Sequence, residues 1–411
     1  MKKHLVVILA IVIVFLITGI LFVHIFLNNF LIPRKIKPLL IETIQGFMGK
    51  EPTIENIYFS FTKGIIIENL LLSTPFTKLP LKIPWINLKI SSLSFLLHKE
   101  IVYKLETSPL EALEVSFKSA GTYSLRDNTL LSKLYIYNLP LVLIKYFYPH
   151  LPFEVKGGKS DPELNIQMLP TGELNIGATI PVEEMELKKF ENSINGSFIL
   201  SLDIKKKKSK MEIVKAVFQP EEVRVSFGKE KQDIVISEGE AIFEEEKLVL
   251  NNLKMSLLDI PYKLSAEVTS ILTEPRAVLK LESNKLSLEG RGKFINKEIN
   301  IEKLSFILPN SNLELKGKIR NLKTGEAELY LRGVLDTDDL AIIPFKPFTQ
   351  VEKIKLLSLL EIDTHIAGEL RNINQLNSLI KIRTPDLTID KFKLEVVNLR
   401  ASIERGILNA E

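Results

Sequence analysis

The residues able to do chemistry do not converge on one reaction. Gly158-Lys159-Ser160 matches the end of a phosphate-cradling loop, in which backbone N–H groups wrap a phosphate and the lysine reaches it. The position that needs the first glycine of that loop is Phe153, so the segment reads as a turn. His4, His24, His98, His150 and His365 are scattered and cysteine is absent, which leaves no ligand spacing for a structural zinc ion. Aspartate and glutamate fall on outward-facing alternate positions, with no His or Ser placed to complete a nucleophilic constellation. Neither an enzyme nor a cofactor is expected. Lys205 to Lys208 reads as a solvated hairpin tip, with contact to anionic lipid as the alternative. Glu244 to Glu246 is its acidic counterpart. Asn195-Gly196-Ser197 is a glycosylation acceptor only in a eukaryotic secretory setting, which no other segment supports.

Lys and Arg number 54 against 50 Asp and Glu, a balanced surface without the basic footprint of a nucleic-acid partner. An exported domain lacking cysteine gains nothing from an oxidising compartment, so a continuous sheet must hold it together.

The elements that would position any site are simple. Residues 5–27 carry no formal charge, and only Thr18, Gly19 and His24 break the apolar run. At ~1.5 Å per residue this segment crosses a hydrocarbon core of ~30 Å. It lacks the short core and small-x-small cleavage site of a secretory signal, so it reads as an uncleaved single-pass anchor. Lys2 and Lys3 precede it, while Arg34, Lys35 and Lys37 follow. Local charge therefore does not favour an inward N-terminus, but long domains translocate largely regardless of it. Residues 1–4 are assigned to the cytoplasm and the bulk of the chain to the far side. Residues 28–50 hold a linker and an amphipathic helix. There Ile36, Leu39, Leu40, Ile44, Phe47 and Met48 recur at helical spacing, and Gly49 is placed as a stop. Such a helix caps the first strands or lies on the membrane surface.

From Thr53 onward the pattern is short alternating strands. Residues 53–61 and 65–73 flank Lys63-Gly64 as a hairpin, and 84–90, 94–97 and 101–106 follow. Two further stretches, 139–148 and 338–343, resemble helices, too few to cover about 20–25 strands. At ~4.8 Å between strands such a ladder would run roughly 100–120 Å. The expected fold is thus mainly β: an N-terminal transmembrane helix, a short amphipathic helix, then an elongated curved antiparallel sheet forming an apolar groove. Lys156 to Ser160 marks a break between an N-terminal section, residues 51–155, and a C-terminal repeating section, residues 156–411. Alternation places Leu286 and Leu288 on one face, as it does Ile299 and Ile301, and Leu313 and Leu315. With Leu248, Leu250, Phe306, Leu387, Ile389 and Leu394 these are the candidate groove-lining residues. The same residues would serve as the core of a closed β-sandwich, the competing reading.

The anchor, the helix and Thr53-Ile54-Glu55-Asn56-Ile57-Tyr58-Phe59-Ser60-Phe61, followed by Gly64-Ile65-Ile66-Ile67-Glu68-Asn69-Leu70-Leu71-Leu72-Ser73, resemble the opening of AsmA-like proteins. The run from Trp85 to Leu97 continues the likeness, and the segments 360–370 and 385–394 resemble the family's recurring strand-turn unit. The resemblance implies tethering in the inner membrane of a Gram-negative-type cell with the bulk of the chain in the periplasm. It implies phospholipid or another acyl lipid as cargo, and a periplasmic or outer-membrane protein completing the bridge. The alternative function is a non-enzymatic scaffold or assembly factor for outer-membrane proteins, working through exposed strand edges.

Overall fold

The computed structural model describes residues 15, 17–72, 81–111, 113–144, 151–207, 210–228, 232–257, 260–321, 325–342, 356–357, 359–370, 372, 375–389, 392–404 and 407–410. Residues 5–14 and 16 of the expected span lie outside these. From Ile17 to Gly46 the chain is one helix, long and apolar enough to cross a membrane. No linker interrupts it. Leu27–Ile36 is π-helical, with the Lys37 N–H bonded to the Ile32 carbonyl, and this wide turn accommodates Pro33. Lys37–Met48 continues as α-helix, and Gly49 (φ 70°) ends it in the left-handed conformation, its N–H on the Gln45 carbonyl. Leu40, Ile41 and Ile44 pack against the first strands. Ile41 takes the inward place expected of Leu39, which is 64% exposed.

The chain forms two compact units, Met1–Phe190 with Asn195–Val214, and Glu191–Ile194 with Lys215–Glu411. In the first, β1 (Thr53–Ser60), β2 (Gly64–Leu72), β3 (Leu81–Ile90), β4 (Glu100–Thr107), β5 (Ser116–Ser124) and β6 (Thr129–Tyr137) form an antiparallel meander. It continues through β7 (Leu139–Pro140), β8 (Glu154–Ser160), β9 (Glu163–Met168) and β10 (Leu174–Lys189). β9 lies between β6 and the first half of β10, and β8 pairs with the second half. Ile54, Ile67, Leu70, Ile83, Leu110 and Val115 make the core here. Ile54 and Ile57, Ile67 and Leu70, Ile83 and Ile86 all keep inward places although each pair is three residues apart. The left-handed Asn69 (φ 51°) resets the pleat between them.

Three expected elements differ. Residues 94–97 are not a strand but part of a helix, Ser92–His98, because the Ser91 hydroxyl accepts the Ser94 N–H and starts the turn. Gly158-Lys159-Ser160 is not a turn but the end of β8, where Gly158 (φ 107°) lets Met185 and Leu141 approach its backbone. The expected helix 139–148 is, where described, a two-residue strand and a short 3₁₀ turn, Leu141–Leu143.

The free edge of β1 is capped by the N-terminal helix. The Phe59 N–H donates to Asn28 Oδ1 at 2.6 Å, Asn28 Nδ2 donates to the Phe59 carbonyl at 3.1 Å, and Lys37 Nζ donates to the Ile54 carbonyl at 3.0 Å. These bonds occupy positions a neighbouring strand would take.

β11 (Asn192–Lys207) and β12 (Lys210–Phe227) carry the chain onward. The second unit then runs through β13 (Gln232–Glu244), β14 (Lys247–Leu257), β15 (Ile260–Thr269), β16 (Arg276–Glu282), β17 (Ser287–Ile295), β18 (Glu298–Ile307), β19 (Asn312–Asn321) and β20 (Glu326–Asp336). It ends with β21 (Leu356–Leu357), β22 (Leu359–Glu369), β23 (Leu376–Ile389), β24 (Phe392–Glu404) and β25 (Ile407–Ala410). Sequence neighbours pair antiparallel from β12 to β20, then β20 with β22, and on through β25, with β21 added to β23. Among the described residues no ladder joins β25 back to β12, so this curved sheet stays open. Register shifts at Leu250/Leu253 and Ile301/Leu304 bend it.

The 3₁₀ segment Thr337–Ile342 is pinned to the β18–β19 turn. Asp339, 2% exposed, accepts hydrogen bonds from the Asn310 N–H at 2.9 Å and the Ser311 hydroxyl at 2.6 Å. Asp339→Ala is expected to cost about 2–3 kcal/mol and to expose the Asn310 amide to rapid hydrogen exchange, the measurement that checks it.

Candidate functional site

Direct partners across an antiparallel ladder point to the same face, so the register of the second unit can be followed as rows perpendicular to the strands. One row reads Phe218, Ala241, Leu250, Ala266, Leu279, Gly290, Leu304, Leu315, Leu331, Thr364, Ile380, Ala401, Ala410. Thr364 is its one polar member. Twelve steps at ~4.8 Å give it a contour of roughly 58 Å. The row beside it reads Leu253, Leu264, Leu281, Leu288, Phe306, Leu313, Gly333, Ile362, Ile382, Leu399. On its other side run Phe243, Leu248, Val268, Ala277, Gly292, Ile301, Gly317, Leu329, Ile366, Ser378 and Ile403. The face is aliphatic from strand to strand.

The opposite face alternates in charge. Its central row reads Ser265, Lys280, Glu289, Ser305, Glu314, Arg332, Asp363, Lys381, Arg400. Ion pairs brace it, among them Lys247–Glu267 at 2.9 Å, Lys303–Glu314 at 3.3 Å and Arg320–Glu328 at 3.3 Å. Hydrogen bonds from Lys316, and then Lys303, hold the Glu314 carboxyl below its ordinary range. These pairs are exposed and screened, so they set register more than stability. His365 stacks on Tyr330 at 4.3 Å, and the Tyr330 hydroxyl donates to Glu328 at 2.9 Å, which pushes the phenol up and keeps it protonated. His365 Nε2 lies 3.8 Å from Glu328, too far for a hydrogen bond, so the contact is a stacked brace on Tyr330. Among the described residues no three His, Asp or Glu side chains gather in metal-binding geometry.

Eight of the sequence-predicted lining residues meet on the apolar face: Leu248, Leu250, Leu288, Ile299, Ile301, Phe306, Leu313 and Leu315. Each is half-buried. Leu286 is not in a strand. The Ser283 hydroxyl takes its N–H and the Ser283 N–H bonds its carbonyl, which closes the β16–β17 turn, and the strand begins at Ser287. Leu387, Ile389 and Leu394 occupy β23 and β24 with Leu387 opposite Leu394, and their side chains lie outside the described residues. Sequence reasoning missed Leu253, Leu264, Leu281, Leu329 and Leu331, which continue the rows, Leu253 and Leu264 across a bulge. At each bulge two residues, Asn251-Asn252 or Glu302-Lys303, oppose a single residue of the next strand, and Leu250 with Leu253 then share a face. The signal was present as apolar residues three apart around a polar pair.

The buried apolar clusters lie in the first unit, around Ile54 and around Val155. In the second unit, among the described elements, the helical segment Thr337–Ile342 sits at the end of β20, and no helix is laid across the rows. The chain matches no protein-family model, no curated protein and no solved structure.

Proposed function

We propose that this chain is a membrane-anchored lipid-binding protein of the AsmA-like kind, whose apolar β face holds phospholipid acyl chains and conducts them away from the membrane of its anchor helix. That membrane is the inner membrane, with the β units in the periplasm, where the activity supports the outer membrane. The observation that carries this reading is the set of adjoining aliphatic rows, unbroken over strand after strand and not covered by a helix among the described residues. Each CH₂ of a lipid tail removed from water contributes ~0.8 kcal/mol. A face whose rows carry only the hydroxyls of Thr364 and Ser378 binds such a tail without holding it in one place, which suits a cargo that slides.

A second reading has its own observation. β25 pairs with Ala401 to Glu404 of β24, and among the described residues no strand covers the Phe392 to Arg400 edge. An unpaired edge of that length templates strand addition and would suit a scaffold for outer-membrane proteins.

One experiment separates the two. The full chain, purified in mild detergent with a photo-crosslinking residue at Leu288 or Leu315, is expected to retain phospholipid in native mass spectrometry and to crosslink it at both sites. Crosslinks at those positions to protein alone, with no lipid retained, would sink the lipid reading and leave the scaffold.

A further inference from the structure

We infer that one end of the first unit's sheet is seated in the headgroup region of the bilayer, so that a rim of strand ends grips the membrane beside the anchor helix. β1 runs antiparallel along that helix. Lys37 bonds the Ile54 carbonyl, Asn28 bonds Phe59, and the His24 ring lies 5.6 Å from Phe61. Each step along β1 therefore descends the helix toward the span. His24 falls inside the apolar segment 5–27, so the β1–β2 turn lies level with the last turn of the span.

The register brings other strand ends to the same level. Ile65 pairs with Leu88, which places Ile90 beside the turn, and Ile90 pairs with Tyr103. The helix Ser92–His98 joins β3 to β4 at this end, and the Leu125 N–H bonds the Lys99 carbonyl. Phe61, Ile90, Phe95, Leu97 and Leu125 are all exposed here, Leu97 by 66%. At the opposite end, Leu70, Ile83, Leu110 and Val115 are buried under the helix Lys37–Met48 and the Leu110–Val115 turn. Five exposed apolar side chains thus cluster on the side where the helix enters lipid, while at the other end Leu39 and Trp85 are exposed. Lys63, Lys89, Lys99 and Arg126 stand among these residues against Glu100 and Asp127, four positive charges to two negative. Aromatic and aliphatic side chains set among cations are what an interface with anionic headgroups takes up. The occupant of this rim is a lipid surface, because the rim adjoins a helix built to be in one.

The inference rests on the membrane-spanning reading of the helix and not on lipid conduction. Since the chain has no cysteine, each introduced thiol is unique. The full chain is reconstituted in phosphatidylcholine–phosphatidylglycerol vesicles with an environment-sensitive fluorophore at Leu97→Cys, Leu125→Cys, Val23→Cys, Glu111→Cys or Phe190→Cys. Phe190 is the control for exposure alone, being 85% exposed at the far end of β10. Lipids spin-labelled near the headgroup are expected to quench Leu97 and Leu125 strongly, and Glu111 and Phe190 weakly or not at all. Quenching at Val23 with Leu97 and Leu125 no more quenched than Glu111 overturns the rim while the anchor stands. No quenching at Val23 removes the anchor reading and the rim with it. Equal quenching at all positions, Phe190 included, is general adsorption and also overturns the proposal.

Discussion

Leu315→Glu is expected to strip the protein of bound acyl lipid while leaving its strands intact. Leu315 stands mid-row between Leu304 and Leu331, with no buried cluster beneath it to collapse. A carboxylate there faces either water or a hydrocarbon tail, and it tolerates only the first. Placing a charge in hydrocarbon costs about 2.5–3.5 kcal/mol on insertion scales, so lipid retention should fall roughly 100-fold at ~1.4 kcal/mol per tenfold. Lys318→Ala, on the opposite face, should leave retention unchanged. Lipid carried through purification by each variant, with far-ultraviolet circular dichroism as the check on folding, measures both. Equal retention by Leu315→Glu and the parent chain would mean that the rows are not where lipid sits.

Gly333→Val is expected to have the largest effect on stability. Gly333 has φ 152°, a conformation L side chains rarely adopt, and a Cβ there would lie 2.0 Å from the Asn312 carbonyl oxygen and 2.8 Å from Leu313 Cα. Backbone strain alone costs about 1–3 kcal/mol. The collision adds to it by pushing β19 and β20 apart, for a total above about 4 kcal/mol, in the range reserved for a few drastic mechanisms. Gly172→Ala separates the two contributions. Gly172 also has a positive φ, 79°, but open space where the Cβ would go, so that change should cost about 1 kcal/mol. Hydrogen exchange across Leu313 to Arg320 distinguishes a local separation of β19 from a general loss of folding.

The sequence carried the class of fold because one-sided burial leaves a period of two wherever strands are regular, as from Leu313 to Leu315. Gly49 was legible as a helix stop because the left-handed requirement is local. The failures lie where a side chain decides the backbone. Ser91 turns a β-like Ser-Phe-Leu-Leu run into a helix, and Ser283 holds Leu286 in a turn. At Asn69 the pleat resets in three strands together, and no single strand's pattern records that. The edge cap was least visible, since Asn28 and Phe59 are 31 residues apart and meet only after both elements have formed.

That cap gives strand assembly a direction. Asn28 presents one donor and one acceptor to the outer edge of β1, as the backbone of an adjacent strand would, and it is carried on the N-terminal helix. A newcomer at that margin must first evict an amide held on the protein's own N-terminal helix, giving up two hydrogen bonds before it forms any. Two copies therefore cannot zip together through their first strands. The first unit's sheet is stopped on its β1 margin by a side chain that imitates a strand.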